Sequence, residues 1–470
     1  MISPKPFRIA AGIAGALLLA SCTTPTDGDP ATAPPSSSAT PTDMPAVWDS
    51  SVLHTIEVDY DAGDYESLIS AYLQSGEKVW ISATVTIDGE TFENVGLKLK
   101  GNSSLRGLDE EQAESPEDLP WIISLDKYVD GQTLDGASEF AVRSNSAEAS
   151  LNEALALDVL DGTGLAAEQA IAVSFTAGDS DPALRLVVEN PDEAWMEREL
   201  GVGYLYKAES TGDWSYRGDD PDEYATSFDQ KGGDDDLTPL IAFLAFINDS
   251  DDEDFAASLP EWLDIDAFAT YLAFQDLVQN TDDIDGPGNN AYLYWDPETE
   301  RMTVVNWDLN LAYGSAPGGG MGGFGDRPDA GAGGGMPEGE RPEGFAPGEV
   351  PEGFDPPDVP EGFEPGDLPD GFDPSELPAD RSDGGFRGMG GMGGGTVLVE
   401  RFLEVPEFAA LYEDAVADLE AQWYESGDAA ALLEEWTDLL TAEASHLVDP
   451  ATVESEEAEL LTRLTTGDEQ

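Results

Sequence analysis

The sequence predicts an α+β protein whose strands gather in the first half of the chain and whose helices gather in the second. Two patterns carry that prediction. Apolar and polar residues alternate with period two through "HTIEVDY" and "VWISATVTIDG", whereas apolar residues recur at helical spacing in "LTPLIAFLAFIND" and "IDAFATYLAFQDLVQNTDD". The third observation is size: 470 residues at 40% hydrophobic content leave room for one large or two ordinary domains with a sizeable core.

At the N-terminus, Lys5 and Arg8 precede an apolar run from Ile9 to Ala20. That run is too short to span a bilayer and has the shape of a signal-peptide core. It ends in Leu19-Ala20-Ser21-Cys22, which resembles a bacterial lipobox, so residues 1–22 read as a lipoprotein signal with Cys22 as the lipidated first mature residue. Cys22 is the only cysteine, which excludes disulfides, thiol redox chemistry and cysteine-ligated metal from the mature chain. Residues 23–47, rich in Thr, Pro, Ser and Ala, read as a flexible tether. The expected location is extracytoplasmic, held at the membrane by lipid.

The strand-rich part opens at His54. Asp88-Gly89 is a turn signal that joins "VWISATVTIDG" to "TFENVGLKLKG" as a hairpin, and Lys98 and Lys100 fall two apart on one face of the second strand. "GNSSLRG" follows as a loop of small residues, then a strand through "WIISLDKYVDG". A helix through "SEASLNEALALDVLDGTG" carries Glu153 on its early turns, with Gly162 or Gly164 to end it. Further strands are expected at "AIAVSFTAG", "LRLVVEN" and "GYLYKAE", the last two containing Glu189 and Lys207.

Beyond them the helical pattern takes over. "TVLVERFLEVPEFAALYEDAVADLEAQWYES" and "AALLEEWTDLLTAEASHLV" read as amphipathic helices that close the chain. Residues 315–395 interrupt this half with Gly, Pro and acids, and Pro-Glu-Gly-Phe starts at Pro342, Pro351 and Pro360, with Pro-Asp-Gly-Phe at Pro369. Such a composition does not bury a core and reads as a disordered or polyproline-like insert.

The formal net charge of -78 argues against nonspecific binding of nucleic acid or anionic lipid. The acidic runs "DSDDEDF" and "GGDDDL" do not follow the EF-hand pattern and read as solvated acidic faces. His54 and His446, the only histidines, lie near no nucleophile motif, and no GxxxxGK[ST] phosphate loop occurs.

The most informative stretch is "NTDDIDGPGNNAYLYWDPETERMTVVNWDLNLAYG", residues 280–314. It sets Asp282, Asp283, Asp285, Asn289 and Asn290 in a glycine-softened loop, follows with a strand, and places a further acid at Asp308. No Lys or Arg occurs from 232 to 300, so carboxylates gathered here would repel a nucleotide until a metal cation neutralised them.

Together with "VGLKLKGNSS", "KYVDGQTLDGASEFAVRSN", "LNEALALDVLDGTGL", "GYLYK" and "FLEVPEFAALYEDAVADL", this stretch resembles the CotH family of spore-coat-type secreted kinases, collinearly over about residues 95–425. The resemblance implies an atypical two-lobed protein-kinase-like fold. Its strand-rich N-lobe would be residues 48–190, and its helical C-lobe residues 191–314 and 396–465, with ATP and magnesium or manganese between them. It implies that Asp282 orients the acceptor hydroxyl, and that Asn290 and Asp308 hold the metal. Asp283 in the same loop is an alternative to Asp282. Where the family often has a second aspartate two residues after Asp308, this chain has Asn310, which leaves a second metal position one charge short.

Lys98 and Lys100 suit phosphate contact, with Glu153 as the ion-pair partner of one of them. Lys207 is a third candidate cation, and Glu189 lies where a hinge to the adenine would pass. The implied partner is a protein substrate with a hydroxyl acceptor. The competing reading is a pseudokinase or structural surface lipoprotein that keeps the fold without turnover.

Overall fold

The computed structural model describes residues 46–315 and 396–465, apart from 102, 106–107 and 145–146. The lipobox with Cys22, residues 23–45 of the tether and the Pro-Glu-Gly-Phe repeat lie outside the described residues. The last two tether positions are not tether-like, because Ala46–Trp48 form a 3-10 turn that buries Val47 and Trp48 in the core of the strands described next. The described residues group as one compact unit, mixed in α and β as expected.

Seven strands close a barrel in the order β1-β2-β3-β4-β5-β7-β6. They are β1 (His54–Tyr60), β2 (Ile81–Ile87), β3 (Glu90–Leu99), β4 (Trp121–Ser124), β5 (Glu139–Val142), β6 (Ala170–Ala177) and β7 (Ala183–Glu189). The β2–β3 hairpin turns at Asp88 and Gly89, whose φ angles of 47° and 86° are those of the mirror-image turn that Asp-Gly favours. Closure comes from the parallel pairing of β1 with β6, His54 opposite Val173. Ile171, Val173 and Phe175 of β6 point into the barrel with Val85, Leu97 and Phe140. Ala170 and Ala172 of β6 and Leu184, Leu186 and Val188 of β7 point outward into a second core against α2 (Leu151–Asp161). Burial on both faces explains why these two strands are almost continuously apolar.

A helix not foreseen in the sequence, α1 (Ala62–Ser75), follows β1. Asp61 caps it by accepting from the amides of Gly63 and Asp64, and Gly76 ends it at φ 72°. Another short helix, α3 (Glu193–Glu199), follows β7.

A second sheet of four strands has the order β11-β10-β8-β9, from β8 (Tyr204–Ala208), β9 (Phe228–Gly232), β10 (Ala291–Asp296) and β11 (Arg301–Asn306). It packs with α4 (Thr238–Asp249), α5 (Asp252–Trp262) and α6 (Ile265–Leu277) around Phe243, Leu259, Phe268 and Leu293. The acidic run at 249–255 caps α5 through Asp251, consistent with a solvated helix start.

The long amphipathic stretch after residue 396 is not one helix. Val405 adopts extended backbone (φ -86°, ψ 116°) before Pro406, dividing α7 (Val397–Glu404) from α8 (Pro406–Leu419). A six-residue π-helical turn, Glu420–Glu425, then leads to α9 (Asp428–Glu443) and α10 (Pro450–Thr465). Trp436, Leu440, Val453 and Leu460 from this part share a core with Leu155 and Val159 of α2. Among the described residues no helix is long and apolar enough to cross a membrane.

Candidate functional site

Asp308 sits two residues beyond β11 in a left-handed conformation, φ 65°, that a non-glycine residue adopts only when its surroundings hold it there. Its carboxylate accepts from the Arg143 guanidinium and lies 3.8 Å from Lys100 Nζ. Arg143, the residue after β5, is buried and also grips Glu153 on the first turn of α2, Nε to Oε2 at 2.9 Å and Nη2 to Oε1 at 2.7 Å. One guanidinium thus bridges two carboxylates from opposite parts of the fold, the forked geometry that arginine provides and lysine does not.

Burial opposes ionisation of Asp308, but Arg143, then Lys100 and Lys207, hold its carboxyl well below the usual range. Lys100 is pushed the other way. Burial and the nearby Arg143 bring its ammonium down to about 8, against the pull of Asp308 and Glu153. Lys100 and Lys207 lie 5.2 and 5.7 Å from the centroid of the Trp307 ring, which gives both cations an aromatic neighbour beside Asp308.

The loop between α6 and β10 carries Asp282 and Asn290. Asn290, at φ 57°, donates its side-chain amide to the Asp282 carbonyl at 2.8 Å. Ala291 pairs with Asn306, so Asn290 and Asp308 emerge at the same end of the β10–β11 hairpin. Burial and then the field of Asp308 push the Asp282 carboxyl up, against a hydrogen bond from Asn290.

Asp283 points elsewhere. It is 4% exposed, accepts from the amides of Asp285 and Gly286 at 3.1 Å each, and is pushed up to about 7, chiefly by burial. Its hydrogen bonds shape the loop, whereas Asp282 is the aspartate within the field of Asp308.

A run of buried amides backs this loop. Asn306 accepts from Gln275 at 2.7 Å, Gln275 accepts from Asn280 at 2.9 Å, and Asn280 accepts from the Asp282 amide at 3.4 Å. From the other side, Trp214 Nε1 donates to the Gly288 carbonyl at 2.7 Å. Gly212 presses so close that a Cβ there would fall 1.8 Å from the Pro287 carbonyl oxygen. The chain re-enters at the same place: Tyr313 N donates to Val278 O at 2.5 Å, and Thr396 N donates to Ile284 O at 3.0 Å.

The structure therefore gathers Lys100, Glu153, Lys207, Asp282, Asn290 and Asp308, and it places other candidates differently from what was expected. Glu153 does not pair with Lys98 or Lys100; its ion pair is with Arg143, a residue to which the sequence reading assigned no role. Its signal was an arginine ending the buried strand "EFAV", where a cation needs a partner. Lys98 shares the face of Lys100, but its ammonium lies 4.4 Å from the centroid of the Trp80 ring. Glu189 is not free for a ligand through its side chain, because Arg198 takes both carboxylate oxygens at 2.8 Å. The electrostatic expectation also changes. The cations missing from 232–300 arrive as Lys100, Arg143 and Lys207, so Asp308 is partly neutralised by the protein itself.

Among the described residues no group of three His, Cys, Asp or Glu side chains is arranged to hold a metal. What the chain offers is a carboxylate kept ionised at Asp308, with the oxygens of Asn290 and Asp282 near it. These hard donors fit a magnesium-type ion, which takes one or two carboxylates and completes its shell with phosphate oxygens and water. Compared with known proteins, the chain matches the family model described as CotH kinase protein over residues 97–448. No curated protein matches it.

Proposed function

Taking as premise that the chain belongs to the CotH kinase family, we propose that it is a metal-dependent ATP phosphotransferase acting on hydroxyl groups of secreted or surface proteins. The observation that supports this most is the Asp308 centre, a carboxylate held ionised by Arg143 and Lys100 and facing Asp282 across the Asn290 hairpin end. In this reading the barrel and the helical part act as the two lobes of a kinase-like arrangement.

Asp308 and Asn290 would hold the metal, which supplies charge neutralisation for the phosphates when bound. Lys100 and Lys207 would meet phosphate oxygens, and Arg143 with Glu153 would keep Asp308 in place. Asp282 would orient the acceptor hydroxyl and take its proton as the acceptor oxygen bonds to the γ-phosphorus and the bond to the departing ADP breaks. Location belongs to the same proposal: lipidation at Cys22 would hold the domain on the outer face of a membrane.

Arg143 on the Asp308 carboxylate, together with Asn310, favours a second reading, a pseudokinase or structural surface lipoprotein without turnover. Paired variants separate the two. Asp308→Asn should abolish metal-dependent nucleotide binding measured by calorimetry. Asp282→Asn should still bind nucleotide while phosphate incorporation falls by about two orders of magnitude or more. A parent protein that binds nucleotide with magnesium or manganese but transfers no phosphate supports the second reading; one that binds no nucleotide refutes the first.

A further inference from the structure

Lysine occurs at only seven positions, 5, 78, 98, 100, 127, 207 and 231, in a chain of net charge -78. The six after Lys5 belong to one neighbourhood. Lys98 feels Lys231, Lys78 and Lys127; Lys100 feels Lys207; and Lys207 feels Lys231. Lys78 donates from Nζ to the Gly101 carbonyl at 2.8 Å, beside the end of β3. Six cations collected from just before β2, from the end of β3, from just after β4 and from β8 and β9 exceed what the Asp308 centre uses.

The outer members of the set share a built feature. Trp80 has Lys98 Nζ at 4.4 Å and Lys127 Nζ at 4.8 Å from its ring centroid. Gly96, two residues before Lys98 on the same strand face, leaves the room: a Cβ there would fall 2.5 Å from Lys127 Cβ and 3.0 Å from Trp80 Cε3. In a chain with 98 acidic residues, neither Lys98 nor Lys127 forms an ion pair among the described residues. Glu139 acts on Lys98, Glu209 on Lys78 and Lys207, Asp229 pairs with Lys231, and Asp126 and Asp130 flank Lys127 in the sequence.

The lysines also recede in order. Lys127 and Lys231 are exposed, Lys98 is half-buried, and the Lys100 side chain is 12% exposed beside Asp308. Lys98 and Lys100 are two residues apart on a strand, roughly 7 Å, which is also the repeat of alternate side chains in an extended peptide. We propose that Lys98, Lys127 and Lys231, with Trp80, form an acceptor-binding row that takes an acidic polypeptide segment and leads its hydroxyl toward Asp282. The inference rests on the phosphotransfer reading and adds the substrate class to it. Screening beyond about 8 Å at physiological salt lets such a row act locally despite the charge of the whole chain. A flat lipid surface would meet only the two exposed lysines, whereas a polypeptide strand reaches inward past Lys98.

The test uses the full chain, magnesium ATP and two serine peptides of equal length, one with glutamates flanking the serine and one with glutamines. The parent should show a KM for the acidic peptide about tenfold below that for the neutral one, with the gap narrowing at high salt. Lys127→Ala and Lys231→Ala should each raise KM for the acidic peptide several-fold, leave nucleotide affinity by calorimetry in place, and hardly move KM for the neutral peptide. Lys127→Arg should keep the preference.

Equal KM values for the two peptides in the parent would overturn the proposal. So would variants that weaken nucleotide binding and affect both peptides alike, because the row would then belong to the nucleotide. Anisotropy of a fluorescent glutamate-rich peptide needs no turnover, so it separates failure of this inference from failure of the phosphotransfer reading. Absence of Lys127-dependent binding at low salt overturns the row whether or not phosphate is transferred. Lys127-dependent binding to phosphatidylserine vesicles without peptide binding does the same.

Discussion

Replacing Arg143 by methionine removes the one guanidinium that spans Glu153 and Asp308. Both acceptors are recessed, Glu153 at 4% and Asp308 at 22% side-chain exposure, so the variant leaves two carboxylates close together in a poorly solvated place. Removing one partner of a buried ion pair costs about 3–5 kcal/mol. With a urea slope of about 3 kcal/mol per M, the unfolding midpoint should fall by about 1 M or more at neutral pH.

The pH dependence has a definite sign. In the parent, Asp308 is held below the usual carboxylate range. Its contribution is therefore present above the unfolded value near 3.9 and is lost only as pH falls through the lower folded value. Glu153 already lies above its ordinary value in the parent, first by burial. Without Arg143 it rises further beside Asp308, which Lys100 and Lys207 still attract, so the folded state of the variant is favoured at low pH and penalised as pH rises through the raised Glu153 value. The difference in urea midpoint between parent and variant should thus be widest near pH 8 and narrow toward pH 5. Adding Glu153→Gln should recover part of the loss by removing one of the two like charges. A midpoint shift below about 0.3 M, or a shift equal at pH 5 and pH 8, would refute the bridging role of Arg143.

Two further outcomes follow from buried groups. Glu168 is 2% exposed, and burial, outweighing hydrogen bonds from its own amide and from Asn306, pushes it up to about 8. Its folded value lies above the unfolded one, so stability is present below about pH 4 and is lost as pH rises toward 8. Relative to Glu168→Gln, the parent should lose on the order of 3 kcal/mol between pH 4 and pH 7, read from urea midpoints. Lys100 loses its proton near 8. If it meets phosphate, nucleotide affinity should be highest below that pH and decline above it, and Lys100→Arg should carry full affinity to higher pH in calorimetry.

What the sequence made legible was local. The β2–β3 hairpin was readable because Asp88-Gly89 states its own turn, and α6 because its apolar residues recur at helical spacing. The helix α1 escaped notice because only Leu68 and Ile69 of its fourteen residues are buried, leaving its caps at Asp61 and Gly76 as the readable signal. Barrel closure left no local trace at all, since β1 meets β6 more than a hundred residues later in a pairing that either strand's alternation would equally allow in an open sheet.

The candidate site divided in the same way. Asp282, Asn290 and Asp308 sit in one continuous stretch and were found together, whereas Arg143 comes from another part of the fold and only the packed structure shows its two carboxylates. The pairing given to Glu153 failed for a physical reason. A lysine on β3 was reachable in principle, but a guanidinium satisfies two carboxylates at once and won the position.

The hydrogen bonds of Tyr313 and Thr396 to Val278 and Ile284 make the protein naturally divisible. They fix the chain on both sides of residues 316–395 to one short span, so a protease cut within that segment would break no contact among the described residues. The fragment from 396 onward would stay attached through Trp436, Leu440 and Val453 packed with α2, and through Phe402 and Phe408 beside Phe268. Expressed as separate polypeptides, residues 46–315 and 396–465 should therefore find each other by fragment complementation. Completing the α6–β10 loop would then depend on association of the two pieces, because Thr396, which fastens Ile284, comes with the second one.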